Sequence, residues 1–372
     1  MKFEIEQREL LKHINIAQKA ISSRTTLPIL EGILFEVEDN KLTLKSTDLE
    51  LGIKTSTDCM VEEEGKIVIN SAMIGNIVRK LPDSTIKFNI TGENIQIRCA
   101  NSEFNLIGFD SYDYPPLPNI DIEKKIEIPV EVMKKAIRNT VFAASIDESR
   151  PSLTGVMIEV EENYLNFVAL DGFRIALMRY DSEIHEDIKE IVPSRSLNEL
   201  NKIMPEEGDI TLSFVKNNIV FDLGDTLIYS RLLDKNFFDY KGIIFSPSTC
   251  KVNVIKRDFQ DALERASLLA REEKANLVKI SITENNIHIT SNSEYGNVSE
   301  NIYCEKNGND LDIAFNAKYL LDGLKVIDSE ECTLNLTDSL KPCIINPVDE
   351  ENEYLYLVLP VRLGRQWWKK LK

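Results

Sequence analysis

Histidine is scarce in this 372-residue chain, with three in all, and the sequence holds no GxxxxGK[ST] phosphate loop, HExxH zinc helix, GxSxG elbow or calcium loop. His13 falls in an amphipathic helical stretch, His185 in the acidic run 181–190 and His288 in a strand. None has a Ser or Cys at catalytic spacing, so each reads as structural or solvated. The six cysteines (Cys59, Cys99, Cys250, Cys304, Cys332 and Cys343) form no CxxC pair, which speaks against a metal site and a disulfide framework. Most lie in apolar, strand-like runs and read as buried, reduced thiols. No catalytic residue, metal or cofactor is expected. No apolar run reaches the ~18 residues of a membrane span. Met1-Lys2-Phe3-Glu4-Ile5-Glu6 alternates charge with apolar residues instead of forming a signal-peptide core, so a cytoplasmic protein without a membrane partner is expected.

What is present is acid. The formal net charge is -17, with 43% hydrophobic and 28% charged residues, ordinary proportions for a globular chain. A domain size of about 150 residues allows two or three domains. Such a charge argues against a surface that grips nucleic acid everywhere. A role on DNA would need a local basic surface inside an acidic whole.

The organisation comes from a repeat. Phe3-Glu4-Ile5 with Leu10 and Ile14 recurs as Ile126-Glu127-Ile128 with Met133 and Ile137, then as Val252-Asn253-Val254 with Phe259 and Leu263, at steps of 123 and 126 residues. Asn70-Ser71, Pro193-Ser194 and Asn316-Ala317 each follow a short apolar strand and open a helix, with Ile74, Leu197 and Leu320 spaced 123 apart. Asn70, Ser71 and Ser194 are candidate caps for the first amide hydrogens of those helices. Hairpins around 34–44, 158–167 and 279–289 alternate apolar with polar residues, which predicts antiparallel sheet with one face buried and one exposed. The fold class is therefore α+β: three repeats of two helices on antiparallel sheets. The expected domains are 1–122, 123–249 and 250–363, followed by an extension at 364–372.

Charge is uneven across these elements. The six helical stretches, near 8–21, 71–80, 131–143, 195–203, 257–271 and 317–327, carry an excess of eight positive charges, which leaves roughly -25 on the remainder. Helices gathered on one side would make that side tolerant of a polyanion; solvated lysines on ordinary surface helices would give the same count.

Specific strings resemble the bacterial replicative sliding clamps, the polymerase III beta subunits: Arg24-Thr25-Thr26-Leu27-Pro28-Ile29-Leu30, Thr47-Asp48-Leu49-Glu50, Asp171-Gly172-Phe173-Arg174-Ile175-Ala176, Phe237-Phe238-Asp239-Tyr240, Phe315-Asn316-Ala317, Leu336-Thr337-Asp338-Ser339 and Leu359-Pro360-Val361-Arg362-Leu363. They run in order across residues 1–363. The resemblance implies a non-enzymatic processivity factor, a head-to-tail homodimer that closes a six-domain ring around double-stranded DNA. The implied partners are the DNA polymerase III alpha subunit, the clamp loader and other proteins with clamp-binding motifs. A peptide-binding scaffold outside replication, built on the same repeat, is the alternative.

The resemblance also implies sites. A peptide pocket would use Leu153, Leu170, Gly172, Phe173, Arg174, Ile175, Phe238, Ile243, Leu340, Pro342, Leu357, Leu359, Pro360, Val361 and Arg362. This is an apolar cleft with guanidinium at its rim, suited to motifs carrying Gln, Leu and Phe. Phe238 stands where the family often has proline and Phe173 where it is often polar, so this pocket should be more aromatic. DNA phosphates would meet Arg24, Arg79, Lys80, Arg150 and Arg195. The dimer would bring Phe104 and Leu106 against Leu268 and Leu269 of a second copy, unless these pack within their own domains. The extension, with Gln366, Trp367, Trp368 and four basic residues, is either an appendage or a segment that folds back over a pocket and competes with partners.

Overall fold

The computed structural model describes residues 1–22, 25, 27–118, 124–234, 236–244, 247–271, 276–349 and 353–362. The chain divides into two compact units, residues 1–133 with 195–232, and residues 134–194 with 233–372. The longer helices are α1 (Gln7–Ala17), α2 (Ser71–Lys80), α3 (Val130–Thr140), α4 (Ser194–Ile203), α5 (Lys256–Ala270) and α6 (Ala317–Leu324). Two end sooner than their apolar spacing predicts, because α1 and α3 tighten into single 3-10 turns at Gln18–Ala20 and Val141–Ala143. Asn70 caps α2 by accepting from the Met73 amide at 3.0 Å, and Asn316 caps α6 by accepting from Lys318 at 3.0 Å. Ser194 does not cap α4. It is already the first helical residue, and its hydroxyl donates to the Thr154 carbonyl at 2.6 Å instead.

The first unit has two antiparallel sheets. One runs Met60–Glu63, Lys2–Glu6, Thr85–Thr91, Asn94–Cys99, Ser102–Ile107. The other runs Lys124–Pro129, Asp209–Val215, Asn218–Asp222, Thr226–Arg231, Leu51–Asp58, Lys41–Thr47, Gly32–Glu38, Gly65–Asn70. Its centre is a seam at which a strand of the middle repeat pairs with one of the first, Thr226 opposite Thr55 and Ser230 opposite Leu51. α1 and α2 bury Leu10, Ile14, Ile74 and Val78 against Phe3, Phe35, Leu42, Phe88 and Ile97, with the Phe3 and Phe88 rings stacked at 4.5 Å. The periodic apolar positions read from the sequence are this core, and their burial is the main stabilising term.

The second unit repeats the plan. A nine-stranded sheet runs Lys189–Pro193, Gly155–Glu161, Tyr164–Leu170, Arg174–Asp181, Tyr354–Val358, Cys343–Pro347, Glu331–Leu336, Cys250–Ile255, Glu305–Gly308. A four-stranded one runs Gly296–Tyr303, Asn286–Ser293, Leu277–Thr283, Leu311–Asn316. Here too a seam joins two repeats, with Ile175 opposite Leu357. The hairpin 155–170 departs from the expected alternation: Glu159 and Asn166 are both buried. Its polar-looking face is covered by the segment 236–244, which strand periodicity cannot anticipate because the cover comes from about 80 residues downstream. Burial pushes the Cys59 thiol up to about 11 and that of Cys332 up to about 12, so both stay protonated and unreactive at neutral pH.

Candidate functional site

A tight turn builds the site. After the strand Tyr164–Leu170, Asp171 Oδ1 accepts from the amides of Phe173 (2.9 Å) and Arg174 (3.2 Å). The chain here takes a positive φ at the next residue, and Gly172 adopts it at +92° without the strain a side chain would bring. The turn throws Phe173 outward, 56% exposed, its ring leaning on that of Tyr319 at 6.0 Å. Across from it the linker 236–244 presents Phe238, 51% exposed, and Ile243. Leu153, Leu170, Ile175 and Leu357 form the floor, and Leu359 closes the lip, its amide donating to the Phe173 carbonyl at 2.8 Å. The result is an apolar cavity of about 210 Å³. That is below the ~300–1,000 Å³ typical of small-molecule pockets, so it suits a few protruding side chains more than a cofactor. Exposed aromatics beside a concave apolar floor are costly to leave in water, and such a surface is the kind a ligand can cover.

Ten of the fifteen residues expected at a pocket line this cavity: Leu153, Leu170, Gly172, Phe173, Arg174, Ile175, Phe238, Ile243, Leu357 and Leu359. The other five do not. Leu340 and Pro342 belong to a turn fixed by Asp338, which accepts from the Leu340 and Lys341 amides, and Leu340 points to solvent. Pro360, Val361 and Arg362 lead away, because the Val361 amide donates to the Ala314 carbonyl at 2.8 Å. The strand Tyr354–Val358 ends just before Pro360, which has no amide hydrogen to give a ladder.

The guanidinium at the rim is not that of Arg174. That side chain is buried, donating to Asp171 Oδ2 (3.0 Å), Asp322 Oδ2 (2.7 Å) and the Phe142 carbonyl (2.9 Å), with the Tyr319 ring 4.6 Å from its centre. Every fork position is committed, so Arg174 rivets the turn to α6 and offers the cavity only its stem. Arg150, expected on DNA, takes the rim position. It lines the cavity, mostly exposed, and among the described residues it is ion-paired only by a long 3.8 Å contact to Asp147.

The remaining expected contacts are spread. Arg79 donates to Asn76 and Asn15, neutral acceptors that leave its charge outward, and Lys80 beside it is exposed. Arg195 is half exposed but paired at 2.5 Å with the well-buried Asp48, so part of its charge is cancelled locally. Other helical cations are likewise paired: Arg8 with Asp83, Lys135 with Glu353, Arg138 with Asp328 and Arg265 with Glu300. The helical excess of positive charge is thus smaller in effect than in count. Phe104 and Leu106 are half-buried on the edge strand Ser102–Ile107, packed on the first core, while Leu268 is exposed near the end of α5. Arg24 and the extension 364–372 lie outside the described residues.

Sequence reasoning passed over two residues beneath the cavity wall. Tyr240 and Glu159 are both almost fully buried and hydrogen-bonded to each other. The available signal was an acid in the middle of the apolar run Val156-Met157-Ile158-Glu159-Val160.

Comparison with known proteins agrees with this architecture along the whole chain. The family models described as DNA polymerase III beta subunit, N-terminal, central and C-terminal domains match residues 1–118, 127–239 and 244–362. The Beta sliding clamp of Bacillus subtilis (strain 168) is 36% identical over 377 residues, covering 97% of this chain and 100% of that protein. The crystal structure of the DNA polymerase sliding clamp from Bacillus subtilis superposes with a TM-score of 0.95 at 35% identity, covering 98% and 100% of the two chains. The DNA polymerase III beta subunit from Thermotoga maritima does so with a TM-score of 0.91 at 32% identity, covering 98% and 100%. With three matched domains in order and relatives of full length, the chain belongs to the DNA polymerase III beta subunit family, the bacterial sliding clamps.

Proposed function

We propose that this chain is a DNA sliding clamp, a non-catalytic processivity subunit. It encircles duplex DNA as a head-to-tail homodimer and holds the alpha subunit of polymerase III, the clamp loader and other replication proteins by their short linear motifs. The observation that carries the clamp reading is the match of all three family domains, in order, over residues 1–362. The domains are 1–122, 123–249 and 250–363, and the protein works in the cytoplasm on the nucleoid. No helix among the described residues is long and apolar enough to cross a membrane.

Ring closure is supported by the edges of the sheets. Inside the chain, two seams already join strands of successive repeats into continuous sheets. The strands Ser102–Ile107 and Gly296–Tyr303 end their own sheets, each with one edge unpaired among the described residues. A second copy joining its Gly296–Tyr303 edge to this Ser102–Ile107 edge would make a third seam of the same kind, cover Phe104 and Leu106 with Leu268 and Leu269, and hide two exposed edges. Arg79, Lys80 and Arg150, with Arg24 and Arg195, would touch phosphates only, making binding salt-sensitive and blind to sequence. The cavity at Phe173 and Phe238 would seat the apolar anchors of a partner's motif, with Arg150 at its rim.

The test is topological. The protein is loaded on nicked circular DNA with a clamp loader, and the DNA is then cut. A clamp stays on the circle and runs off the linear ends within the time of cutting. Retention on linear DNA with free ends would overturn encirclement.

A further inference from the structure

The cavity wall that carries Phe238 and Ile243 is a short linker segment, and its position has to be set by something other than sheet pairing. Its single helical turn, Lys241–Ile244, begins on the Tyr240 carbonyl, which accepts from the amides of Ile243 (3.1 Å) and Ile244 (3.3 Å). Tyr240 itself reaches down to the sheet. Its ring lies in the apolar cluster with Leu153, Met157 and Leu170, and its hydroxyl donates to Glu159 Oε1. Glu159 sits on the linker-facing side of its strand, 3% exposed. Its charge is balanced by Lys241, 3.5 Å away on the linker, and by Lys189 at 3.6 Å on the neighbouring strand. Lys241 also bonds Glu161 at 2.6 Å. Burial opposes the charge on Lys241, but these carboxylates outweigh it and hold its pKa above the ordinary value. Burial, reinforced by Glu159, pushes the Tyr240 hydroxyl up, so it stays a donor.

We infer that the buried Tyr240–Glu159 hydrogen bond, backed by Lys241, is a positioning device that fixes the Phe238–Ile243 wall in the form a peptide recognises, without touching the peptide itself. This inference rests on the reading of the cavity as the peptide site. A buried bond to a charged acceptor is worth more than a neutral one, and this one ties the linker's buried side to the strand below it with a fixed direction. Releasing it leaves the wall to sample other positions, and apparent affinity falls by the fraction of time spent in the competent one.

The experiment uses the full chain and a fluorescein-labelled five-residue peptide carrying glutamine, leucine and phenylalanine, titrated by anisotropy, with hydrogen exchange read over residues 241–244. Tyr240→Phe keeps the ring and removes the bond. It should weaken binding about fivefold, as for a wall correctly placed about one-fifth of the time, and should speed exchange in 241–244. Glu159→Gln retains an oxygen that accepts from the hydroxyl but loses the charge, so its loss should be smaller. Tyr114→Phe, which removes a buried linker hydroxyl in the first repeat, should leave peptide affinity as it was. Wild-type affinity and unchanged exchange in Tyr240→Phe would overturn the positioning role. So would equal losses in Tyr240→Phe and Tyr114→Phe, which would mark both as general destabilisation. A wild-type chain that shows no saturable binding, while Tyr240→Phe still speeds exchange, would overturn the reading of the cavity instead.

Discussion

The outer faces of two equivalent hairpins, 32–47 in the first repeat and 155–170 in the second, begin from the same plan and end differently. Glu36 and Glu159 are 123 residues apart, as are their cross-strand partners Lys66 and Lys189, and both acids carry a lysine on the adjacent strand. Each hairpin is then crossed by a linker, anchored where Phe109 bridges Val68 and where Leu233 bridges Ile191. Five residues beyond those anchors stand Tyr114 and Phe238. Tyr114 is buried on Leu34 and Val68, its hydroxyl donating to the carbonyls of Gly32 and Lys45. Phe238 is half exposed at the edge of a cavity. The second acid lacks a lysine at the position of Lys45, where Val168 stands, and takes Tyr240 and Lys241 from the linker in its place. The comparison teaches that the two linkers cover their faces differently: Tyr114 lies buried on the first, whereas on the second Tyr240 is buried and Phe238 is left to rim a cavity.

The largest effect should come from exchanging those roles. Tyr114→Ala removes a buried ring and its hydroxyl, and should destabilise the first unit by about 3–5 kcal/mol in urea unfolding. Phe238→Ala removes an exposed ring and should change stability by about 0.5 kcal/mol or less, while weakening peptide binding about tenfold or more. Similar unfolding costs for the two would break the comparison, since it would mean that Phe238 seals its face as Tyr114 does.

That contrast also marks how far the sequence could be read. The 123-residue spacing survives because each half-unit must present the same apolar face to the same kind of helix, so Leu10, Ile74, Leu197 and Leu320 announce themselves by period. Glu159 does not. An acid between Ile158 and Val160 reads as an outward residue of an alternating strand, and only a linker distant in sequence makes it a buried one. Arg174 lines the cavity, but the direction of its guanidinium was not legible, for a related reason. Family resemblance put it at the cavity, but nothing in its own segment reveals that Asp322, 148 residues later, would take its guanidinium inward. For Arg150, which the resemblance assigned to DNA, nothing in its own loop signals the cavity beside it.

A second, smaller contrast concerns two arginines that serve equivalent acids. Asp48 and Asp171, again 123 apart, both fold an Asx turn and both pair with an arginine, Arg195 and Arg174 respectively. Arg174 is buried and makes three directed bonds, whereas Arg195 is half exposed and ion-paired to one acid. Arg174→Lys keeps the charge but not the fork, and should cost about 1.5–3 kcal/mol in urea unfolding. Arg195→Lys should cost about 0–1 kcal/mol and lower affinity for DNA only slightly. Equal costs would show that the acid's turn, not the arginine's burial, sets the energy.

The smallest effect separates the repeats by pH. His13 in α1 is buried, its Nδ1 2.6 Å from the Thr55 hydroxyl, which meets the Thr226 hydroxyl at 2.8 Å across the seam. The equivalent position in the second repeat is Ala136. Burial, then Lys12, lower the pKa of His13, and the more distant acids Asp225 and Glu9 only partly oppose them. The unfolded chain therefore binds a proton that the folded chain refuses, and stability falls as pH drops below about 6.5 toward the lowered folded value. Glu36 moves the other way in type. Burial alone would raise its pKa, but Lys45 and Lys66 outweigh it and hold the carboxyl below its usual range. Its contribution is complete above the unfolded carboxylate value and is lost only as pH falls through the lowered one, so it is silent near neutrality. Between about pH 7.5 and 5.5, hydrogen exchange in α1, corrected for the intrinsic rate, should therefore accelerate while exchange in α3 does not. His13→Gln, which keeps a partner for Thr55, should remove that difference. If the acceleration persisted in the variant, the acid sensitivity of the first unit would have to arise in its carboxylates, and the polar chain across the seam would be a packing feature without a titrating member.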